Sequence, residues 1–182
     1  MKNLVTKRLL LRSWNEKDAK DFFEYAKNPK VGYMAGWKPH GSVKESKEII
    51  KRFLTEGNVW AICNKQTEKA IGSVGLHKDS KRALDPRSAM MLGYALSEQY
   101  WGKGLMTEAC SAVMKYAFEE LELKILSVDH FPFNNRSRRV IEKLGFIYEG
   151  TLRQSFVNYN GEILDDVCYS ITQDEYKGLH NV

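Results

Sequence analysis

The segment Met91–Ala109 reads MLGYALSEQYWGKGLMTEA and predicts a buried strand that runs through a glycine-containing loop into a helix. The strand is Ala89–Ser97, a nearly continuous apolar run typical of a strand covered on both faces near the middle of a sheet. The helix is Leu105–Leu121, in which apolar residues recur at helical spacing. Between them, Gly102 and Gly104 allow the backbone to approach a ligand closely.

The start of this helix is a predicted anion site. The first backbone N–H groups of a helix have no partner within the helix, and together with the helix dipole they attract negative charge. Lys103 adds a positive charge beside them, so a pyrophosphate is the expected ligand. The alternative is a tight turn that needs glycine for its geometry only, and this segment alone does not decide between the two.

Known phosphate-binding motifs narrow the choice. The Walker pattern is absent because Gly104 follows Lys103, and the dinucleotide pattern GxGxxG fails because position 107 is Thr107. A third pattern matches: Tyr100–Ala109 follows YWGKGxxTEA, the signature of one branch of the GNAT N-acetyltransferase superfamily. The chain therefore resembles this branch, which contains the ribosomal-protein N-terminal acetyltransferases.

The pyrophosphate signature of that superfamily, Gln/Arg-x-x-Gly-x-Gly/Ala, can be placed here in two registers. One begins at Gln99, and the other, which we adopt as typical of the branch, runs from Trp101 to Met106. In the second register Trp101 replaces Gln or Arg, and Met106 replaces the final Gly or Ala. Both registers use Gly102 and Gly104. Because the pyrophosphate is held mainly by backbone N–H groups, the different side chains at positions 101 and 106 do not prevent its binding.

A second block of sequence strengthens the resemblance. Phe131–Gly150 reads FPFNNRSRRVIEKLGFIYEG, and from Asn134 onward it matches the branch pattern N-x-x-S-x-R-V-x-E-K-x-G-F-x-x-E-G. The opening TKRLLLR and the closing Asn160-Gly161-Glu162 with Asp165 are similar to the branch too. The resemblance therefore covers roughly residues 6–176.

The resemblance implies a set of cofactor-binding residues. The backbone of Leu96 is expected to hold the pantetheine arm of acetyl-CoA, in a gap between this strand and the next. Asn134 resembles the asparagine that hydrogen-bonds the pantetheine, although an N-cap of the following helix is the alternative role. The residues expected to surround the pyrophosphate are Trp101, Gly102, Lys103, Gly104, Met106 and Thr107.

The implied chemistry is direct attack of a neutral amine on the thioester, which needs a route for the amine proton and a donor for the departing sulfur. Ser137 stands where the branch has a serine that donates a hydrogen bond to the departing sulfur. Its alternative role is structural, as a hydroxyl in the first turn of a helix. The base is not identified. His130 and His77 are candidates, Phe156 replaces a glutamate found in some enzymes of the branch, and a water relay is equally consistent.

The predicted order β-α-α-β-β-β-α-β-α-β-β indicates an α/β (α+β) fold. We expect a GNAT-like mixed, mostly antiparallel central sheet of about six to seven strands, with helices on both faces. Residues 1–182 are expected to form a single N-acetyltransferase domain. Lys30–Gly41 is expected to be irregular, and Val31–His40 and Phe156–Glu162 to shape the acceptor side.

These patterns predict an acetyl-CoA-dependent N-acetyltransferase that modifies a protein N-terminus or a small amine in a ternary complex. The alternative is a non-catalytic acyl-CoA-binding sensor on the same fold, which the missing glutamate at Phe156 favours. The net charge of +5 does not by itself indicate nucleic acid, and no recognition motif accompanies it.

The remaining expectations concern metals, membranes, location and assembly. No metal is expected, because Cys63, Cys110 and Cys168 lack zinc-ligand spacing. No membrane span and no signal peptide are expected, and we predict a cytoplasmic protein. The resemblance also suggests a homodimer.

Overall fold

The computed structural model describes residues 1–82, 85 and 88–180 and contains one mixed sheet. Its strands are β1 (Leu4–Val5), β2 (Leu9–Ser13), β3 (Val59–Asn64), β4 (Ala70–Lys78), β5 (Ala89–Leu96), β6 (Ile125–His130), β7 (Ile147–Val157) and β8 (Ile163–Thr172). Their order is β1-β2-β3-β4-β5-β6-β8-β7, with β5 and β6 parallel and the other neighbours antiparallel.

The helices lie on both faces of the sheet. They are α1 (Ala19–Ala26), α2 (Pro29–Ala35), α3 (Val43–Glu56), α4 (Leu105–Glu119), α5 (Asn135–Lys143) and α6 (Gln173–His180), with short 3₁₀ helices at Glu16–Asp18 and Glu98–Tyr100. None of these helices is long and apolar enough to cross a membrane.

Apolar side chains fill both sides of the sheet. On one side, α4, α5 and α6 contribute Val113, Ile141 and Tyr176 to a cluster with strand residues such as Ile171. On the other side, α1, α2 and α3 build a second cluster around Ile50, Phe22 and Val31. Burial of a large apolar side chain stabilises the fold by about 1.5–3 kcal/mol, so these two clusters hold the helices on the sheet.

The predicted fold class is confirmed, with one strand more than the expected range. The additional strand is β1, whose two residues pair with β2 through Leu4–Leu11 and Val5–Leu10. Two residues are too few to produce an alternating apolar pattern, which is why the sequence did not reveal this strand.

The expectation of an irregular segment over Lys30–Gly41 is wrong at its start, where α2 forms. Asn28 caps this helix by accepting a hydrogen bond from the Lys30 N–H at 3.0 Å, and Pro29 occupies its first turn. Gly36, with φ of 78°, ends it. Asn28-Pro29 is compatible with the end of one helix, but proline is also favoured at the first position of the next, and here it has that second role.

Two predicted loops need comment, one because it is partly helical and the other because the structure describes only part of it. The sequence between the predicted strand and helix indicates a loop over Gln99–Gly104, but its first two residues belong to the 3₁₀ helix Glu98–Tyr100. The predicted charged loop Asp79–Arg87 includes residues 83, 84, 86 and 87, which lie outside the described residues.

All three cysteines are free and buried. Burial raises the pKa of the Cys63 thiol to about 11 and also raises the pKa of Cys110 and of Cys168. A buried thiol that keeps its proton at neutral pH is a poor nucleophile, so the cysteines act as core residues.

Candidate active site

Strands β5 and β6 begin as partners and then separate. They pair only from Ala89–Ile125 to Met91–Ser127, after which β5 continues alone on that side to Leu96. A gap therefore opens between the second half of β5 and β6. This is the gap that the sequence analysis expected for a pantetheine arm.

The backbone of β5 directs polar groups into this gap. The Ser97 N–H donates to the Ile71 carbonyl oxygen at 2.8 Å, which makes residues 71 and 97 a hydrogen-bonded pair of the β4–β5 ladder. Because such pairs alternate with non-bonded pairs in an antiparallel ladder, the N–H and C=O groups of Leu96 and Tyr94 point away from β4. The Leu96 carbonyl accepts a hydrogen bond from the Trp101 indole at 2.7 Å.

A cleft of about 310 Å³ lies at this gap. Its walls come from α2, β5, the loop that follows, the start of α4 and one side of α5. Of the residues predicted to bind the cofactor, those that line it are Leu96, Trp101, Gly102, Gly104, Met106, Thr107 and Asn134. Ser137 lines it as well.

Lys103 is the predicted cofactor residue that does not line the cleft. Its ammonium group lies 5.4 Å from the centre of the Tyr100 ring, and its carbonyl oxygen accepts a hydrogen bond from the Arg8 guanidinium at 2.9 Å. The structure thus gives Lys103 a role in the loop backbone, while its charge is turned towards an aromatic face.

The loop requires glycine for its backbone conformation. Gly102 and Gly104 have φ values of 73° and 72°, in the left-handed region that residues with a Cβ atom disfavour. Both positions have space for a Cβ atom. A Cβ atom on Gly104 would lie 3.6 Å from its nearest neighbour, the Arg8 guanidinium, and one on Gly102 would have no neighbour within 4 Å. Their geometry turns the chain from β5 into α4.

The N-terminus of α4 has no side-chain cap. Gly104 is the N-cap residue, so no side chain satisfies the backbone N–H groups at Leu105, Met106 and Thr107. The three residues that carry these groups line the cleft. An anion placed there would accept hydrogen bonds and gain from the helix dipole.

Arg8, directly before β2, links the start of α4 to the sheet. Its side-chain Nε and its backbone N–H each donate to the Glu108 carboxylate at 2.7 Å, and Thr6 donates to the same group at 2.6 Å. Burial raises the pKa of Glu108, but the hydrogen bonds from Thr6 and Arg8 outweigh it and lower that pKa overall. Sequence reasoning did not assign this contact, although both partners lie in segments that resembled the branch.

Trp101 has two contacts that explain its presence in place of Gln or Arg. Besides the bond from its indole to Leu96, its ring lies 4.5 Å below the guanidinium carbon of Arg136. A cation over the face of tryptophan is attracted by the ring quadrupole. Trp101 therefore closes the turn on one side and positions a cleft-lining cation on the other.

Ser137 is buried next to a second hydroxyl group. Its Oγ lies 2.7 Å from the Tyr94 hydroxyl oxygen. Burial raises the pKa of Tyr94 well above its ordinary value, so this phenol stays protonated. Sequence reasoning missed Tyr94, which was interpreted only as part of an apolar strand.

Asn134 has the capping role that the sequence analysis left open. Its Oδ1 accepts a hydrogen bond from the Ser137 N–H at 3.1 Å, and its Nδ2 donates to the Met34 carbonyl at 3.1 Å. The side chain thus begins α5 and links it to α2, while still lining the cleft.

The structure does not bring His130 to the cleft. Strand alternation places its side chain on the same face of β6 as Val128, where its ring packs 5.6 Å from Tyr169. Its Nδ1 lies 2.8 Å from the Phe131 carbonyl oxygen, and its Nε2 has no partner among the described residues. His77, whose pKa is lowered by burial, is not a lining residue either.

The two segments expected on the acceptor side do meet. The Tyr33 hydroxyl donates to Glu162 at 3.1 Å, which ties α2 to the β7–β8 connection. Phe156 packs 5.2 Å from Phe131, and a Cβ atom on Gly36 would lie 2.8 Å from the Phe156 ring.

A metal centre is not evident in the part of the chain that the structure describes. Within residues 1–82, 85 and 88–180, no group of three or more His, Cys, Asp or Glu side chains could hold a metal ion.

A family model described as an acetyltransferase (GNAT) domain matches residues 8–147, which is more than half of the chain. This chain belongs to the GNAT acetyltransferase family. The splayed strands, the glycine loop and the uncapped helix all fall inside the matched region, so the GNAT match and the cleft describe the same part of the molecule.

Relatives and solved structures agree with the GNAT assignment. The Bacillus subtilis protein named uncharacterized N-acetyltransferase YoaA is 30% identical over 175 residues, covering 93% of this chain and 96% of that protein. The Escherichia coli ribosomal protein uS5-alanine N-acetyltransferase is 25% identical, covering 95% and 92%. A GNAT-family acetyltransferase structure from Bacillus anthracis superposes with a TM-score of 0.85 at 22% identity over 95% and 99% of the two chains, a likeness of fold.

Proposed function

We propose that the chain transfers an acetyl group from acetyl-CoA to a primary amine, either a protein N-terminus or a small molecule, by direct attack in a ternary complex. The observation that supports this most is the continuity of the β5–β6 gap with the uncapped start of α4. The gap suits an extended, amide-containing arm, and the helix start suits a diphosphate. Acetyl-CoA has both parts, joined in this order.

In this proposal the backbone holds the thioester in place. The Leu96 N–H points into the gap, where it can pair with the arm or with the oxygen of the reacting carbonyl. Gly102, Gly104, Met106 and Thr107 surround the diphosphate through their N–H groups, with Trp101 closing the turn. Acetyl-CoA supplies the activated acyl group as a co-substrate.

Ser137 is the proposed hydrogen-bond donor to the departing sulfur. Among described atoms, the Tyr94 hydroxyl has only Ser137 within hydrogen-bond distance, at 2.7 Å from Oγ and 3.4 Å from the carbonyl oxygen. In this proposal Tyr94 donates to the Ser137 Oγ, and the Ser137 hydrogen is then free to point at the sulfur.

The proton of the attacking amine leaves through water in this scheme. The amine nitrogen forms the amide bond, the carbon–sulfur bond breaks, and the sulfur ends as a thiol, so one proton lost by nitrogen balances one gained by sulfur. His130 takes no part, since it does not reach the cleft. The residues proposed as catalytic are therefore reduced to Ser137, supported by Tyr94.

Release of free thiol from acetyl-CoA tests this function. We expect release to depend on an added amine from a panel of peptides with N-terminal Ala or Ser, aminoglycosides and polyamines. The Escherichia coli relative acts on a ribosomal-protein alanine, which makes the peptides the first choice. Absence of thiol release with every amine class would contradict catalysis.

Gly104→Ala tests the proposed diphosphate site, and Gly57→Ala is its control. The added Cβ atom strains a left-handed residue by about 1–2 kcal/mol and occupies the space that a diphosphate needs, so KM for acetyl-CoA should rise about tenfold or more. Gly57→Ala introduces the same kind of strain, at φ of 65° and with open space, at the end of α3. It should leave KM unchanged, and an equal effect of both variants would argue against a diphosphate at Gly104.

An acyl-CoA sensor is the second candidate, favoured by Phe156 in place of a glutamate. A sensor would be stabilised against thermal unfolding by CoA but would release no thiol in the presence of amines. The remaining proposals are one domain over residues 1–182, a cytoplasmic location, no nucleic-acid partner, and a homodimer. Gel filtration with light scattering tests the last of these.

A further inference from the structure

The Lys81 ammonium group is held in a small polar site to which the reaction scheme above assigns no role. It donates a hydrogen bond to the Asp129 carboxylate, and it lies 3.8 Å from a carboxylate oxygen of Asp166 and 3.7 Å from the sulfur of Cys168. An ammonium group has three N–H donors, and three acceptor side chains surround this one. These side chains therefore form a site that fits a primary ammonium group, called the ammonium site below.

The ammonium site has more negative than positive charge. The side chains of Asp129 and Asp166 are only 17% and 14% exposed, so salt screens their charges less than it screens charges at the surface. Burial lowers the pKa of Lys81, but the contact with Asp129 outweighs burial and raises that pKa overall, so Lys81 is charged at neutral pH. One positive charge thus faces two carboxylates, and a ligand with two positive charges would balance them better.

The ammonium site lies beside the gap between β5 and β6. The last pair of these strands is Met91–Ser127, so two residues further along Asp129 is in register with Gly93 across the gap. The proposed diphosphate site follows the far end of β5, and each strand residue spans about 3.3 Å. An extended arm that runs from the diphosphate along β5 therefore directs its thioester end towards the level of Gly93 and Asp129.

The ammonium site and the hydroxyl of Tyr94 lie on opposite faces of the sheet. Tyr94 and Val128 pack in the cluster to which α4 and α5 contribute, and strand alternation directs Asp129 to the face opposite Val128. That second face is the one on which α2 packs through Val31. Because α4 and α5 cover the first face, an acceptor in the proposed reaction reaches the thioester from the second face, where it meets Asp129.

Lys81 reaches this place because the chain after β4 is anchored. The buried Asp79 carboxylate accepts hydrogen bonds from the Ser127 hydroxyl at 2.6 Å and from the Lys81 backbone N–H at 2.9 Å. These bonds fix the backbone of Lys81 beside β6, and its flexible four-carbon stem then extends to Asp129. A side chain fixed at its base in this way can leave the carboxylates when another cation binds to them.

We propose that Asp129 and Asp166 bind the cationic amine of the acceptor, and that Lys81 occupies this place in the free protein as a tethered competitor. The inference rests on the proposed function, because it uses the same gap and the same thioester. It specifies the acceptor as a primary amine with a second positive charge close by. Aliphatic diamines and peptides whose second residue is basic share this chemistry. The amine arrives as an ammonium ion and loses its proton through water before attack, as in the scheme above.

Titration calorimetry on protein saturated with coenzyme A tests the charge requirement without turnover. Putrescine and butylamine differ by one amino group, and the amidated peptides Ala-Lys-Ala and Ala-Gln-Ala differ in one side-chain charge. We expect the doubly charged member of a pair to bind about fivefold or more tightly than the singly charged one, because only it balances both carboxylates. The pair with the larger ratio identifies the source of the amine.

Lys81→Met and Asp129→Asn should change the binding of putrescine in opposite directions. Lys81→Met removes the competing charge and keeps an unbranched stem, so putrescine should bind about fivefold more tightly. Asp129→Asn removes the main anchor, so putrescine should bind about tenfold more weakly and lose much of its advantage over butylamine. An ion pair with a structural role alone predicts instead that both variants weaken binding.

Lys78→Met is the matched control. It removes the same charge from an exposed position at the end of β4, three residues before Lys81, so amine binding should not change. Thermal unfolding without ligand shows that each variant is folded before titration. The affinity of each variant for coenzyme A should equal that of wild type, since none of these residues lines the cleft.

Three results would overturn the inference: equal or no binding of singly and doubly charged amines by wild-type protein, weaker binding of putrescine in both Lys81→Met and Asp129→Asn, or a gain in Lys78→Met as large as that in Lys81→Met. If wild-type protein binds no coenzyme A, the proposed function fails together with the inference. If it binds coenzyme A and prefers the doubly charged amine but releases no thiol from acetyl-CoA, only the proposed transfer fails.

Discussion

Two hydroxyl groups, those of Tyr94 and Ser137, meet in the cleft although 43 residues separate them in the chain. Each has an ordinary explanation in the sequence, one as a strand residue and the other as a first-turn residue of a helix. In the proposed reaction Ser137 accepts this hydrogen bond from Tyr94, which leaves the serine hydrogen free to point at the sulfur. The pair therefore acts as one unit in the proposed reaction.

Ser137→Ala and Tyr94→Phe test this unit. We expect kcat to fall about tenfold or more in Ser137→Ala and about fivefold in Tyr94→Phe, the second from the loss of one hydrogen bond. KM for acetyl-CoA should change little, because neither hydroxyl is proposed to bind the diphosphate. Steady-state thiol-release assays measure both constants.

The double variant distinguishes positioning from general damage. If Tyr94 acts through Ser137, the double variant should be no slower than Ser137→Ala alone, because the acceptor of the tyrosine is already lost. Two independent losses that multiply would argue against the relay.

The start of α4 depends on contacts from a different element. Gly104 ends the loop and leaves the helix without a side-chain cap, and Arg8 and Thr6 from the start of the chain hold its first turn through Glu108. These contacts form a brace that stabilises the first turn of a helix that has no side-chain cap of its own. The brace fixes the loop and the helix relative to β2.

Glu108→Gln tests the brace through its pH dependence. The pKa of Glu108 is lower in the folded protein than the ordinary value of 4.5, so the ionised group contributes stability above that value. The contribution is lost as the pH falls through the lowered pKa. We expect Glu108→Gln to be less stable than wild type at pH 7, and the difference to shrink below about pH 4.5.

Urea unfolding at pH 7, 4 and 3 measures this difference. Glu120→Gln is the control, because Glu120 pairs with Lys2 at the surface, where ion pairs contribute little. A difference between Glu108→Gln and wild type that stays constant with pH would contradict the brace.

The molecule as a whole is stabilised by two apolar clusters on opposite sides of the sheet. Ile50, in α3, is fully buried in one, and Ile171, in β8, is fully buried in the other. Helix α3 packs against β3, and three strands, β4, β5 and β6, separate β3 from β8 in the sheet. The cleft opens where β5 and β6 separate, so the clusters support the site without filling it.

Ile50→Val and Ile171→Val should destabilise the protein independently. Each removes one buried methylene group and should lower the free energy of unfolding by about 0.5–1.5 kcal/mol. The double variant should show the sum within about 0.5 kcal/mol, since the two sites share no partners. Urea unfolding of the three variants measures this, and a larger departure from the sum would show that the clusters are coupled through the sheet.

Those parts of the fold and of the site that depend on local sequence patterns could be predicted. The strand–loop–helix segment at Met91–Ala109 and the cap at Asn134 are local patterns, and the structure places them as expected. Helix α2 was missed because Asn28-Pro29 fits both the end of one helix and the start of the next. That His130 lies away from the cleft could not be predicted, because the sequence of a strand reveals neither which face of the sheet a side chain takes nor what covers that face.

The sequence by itself determined the family, the fold class and the glycine loop, because these depend on residues close together in the chain and on their periodicity. The tertiary structure alone decided that Tyr94 meets Ser137, that Arg8 contacts Glu108, and that Arg136 lies over the Trp101 ring at the cleft. These contacts join residues 35 to 100 positions apart. Such contacts follow from how sheet and helices pack, and local spacing does not specify that packing.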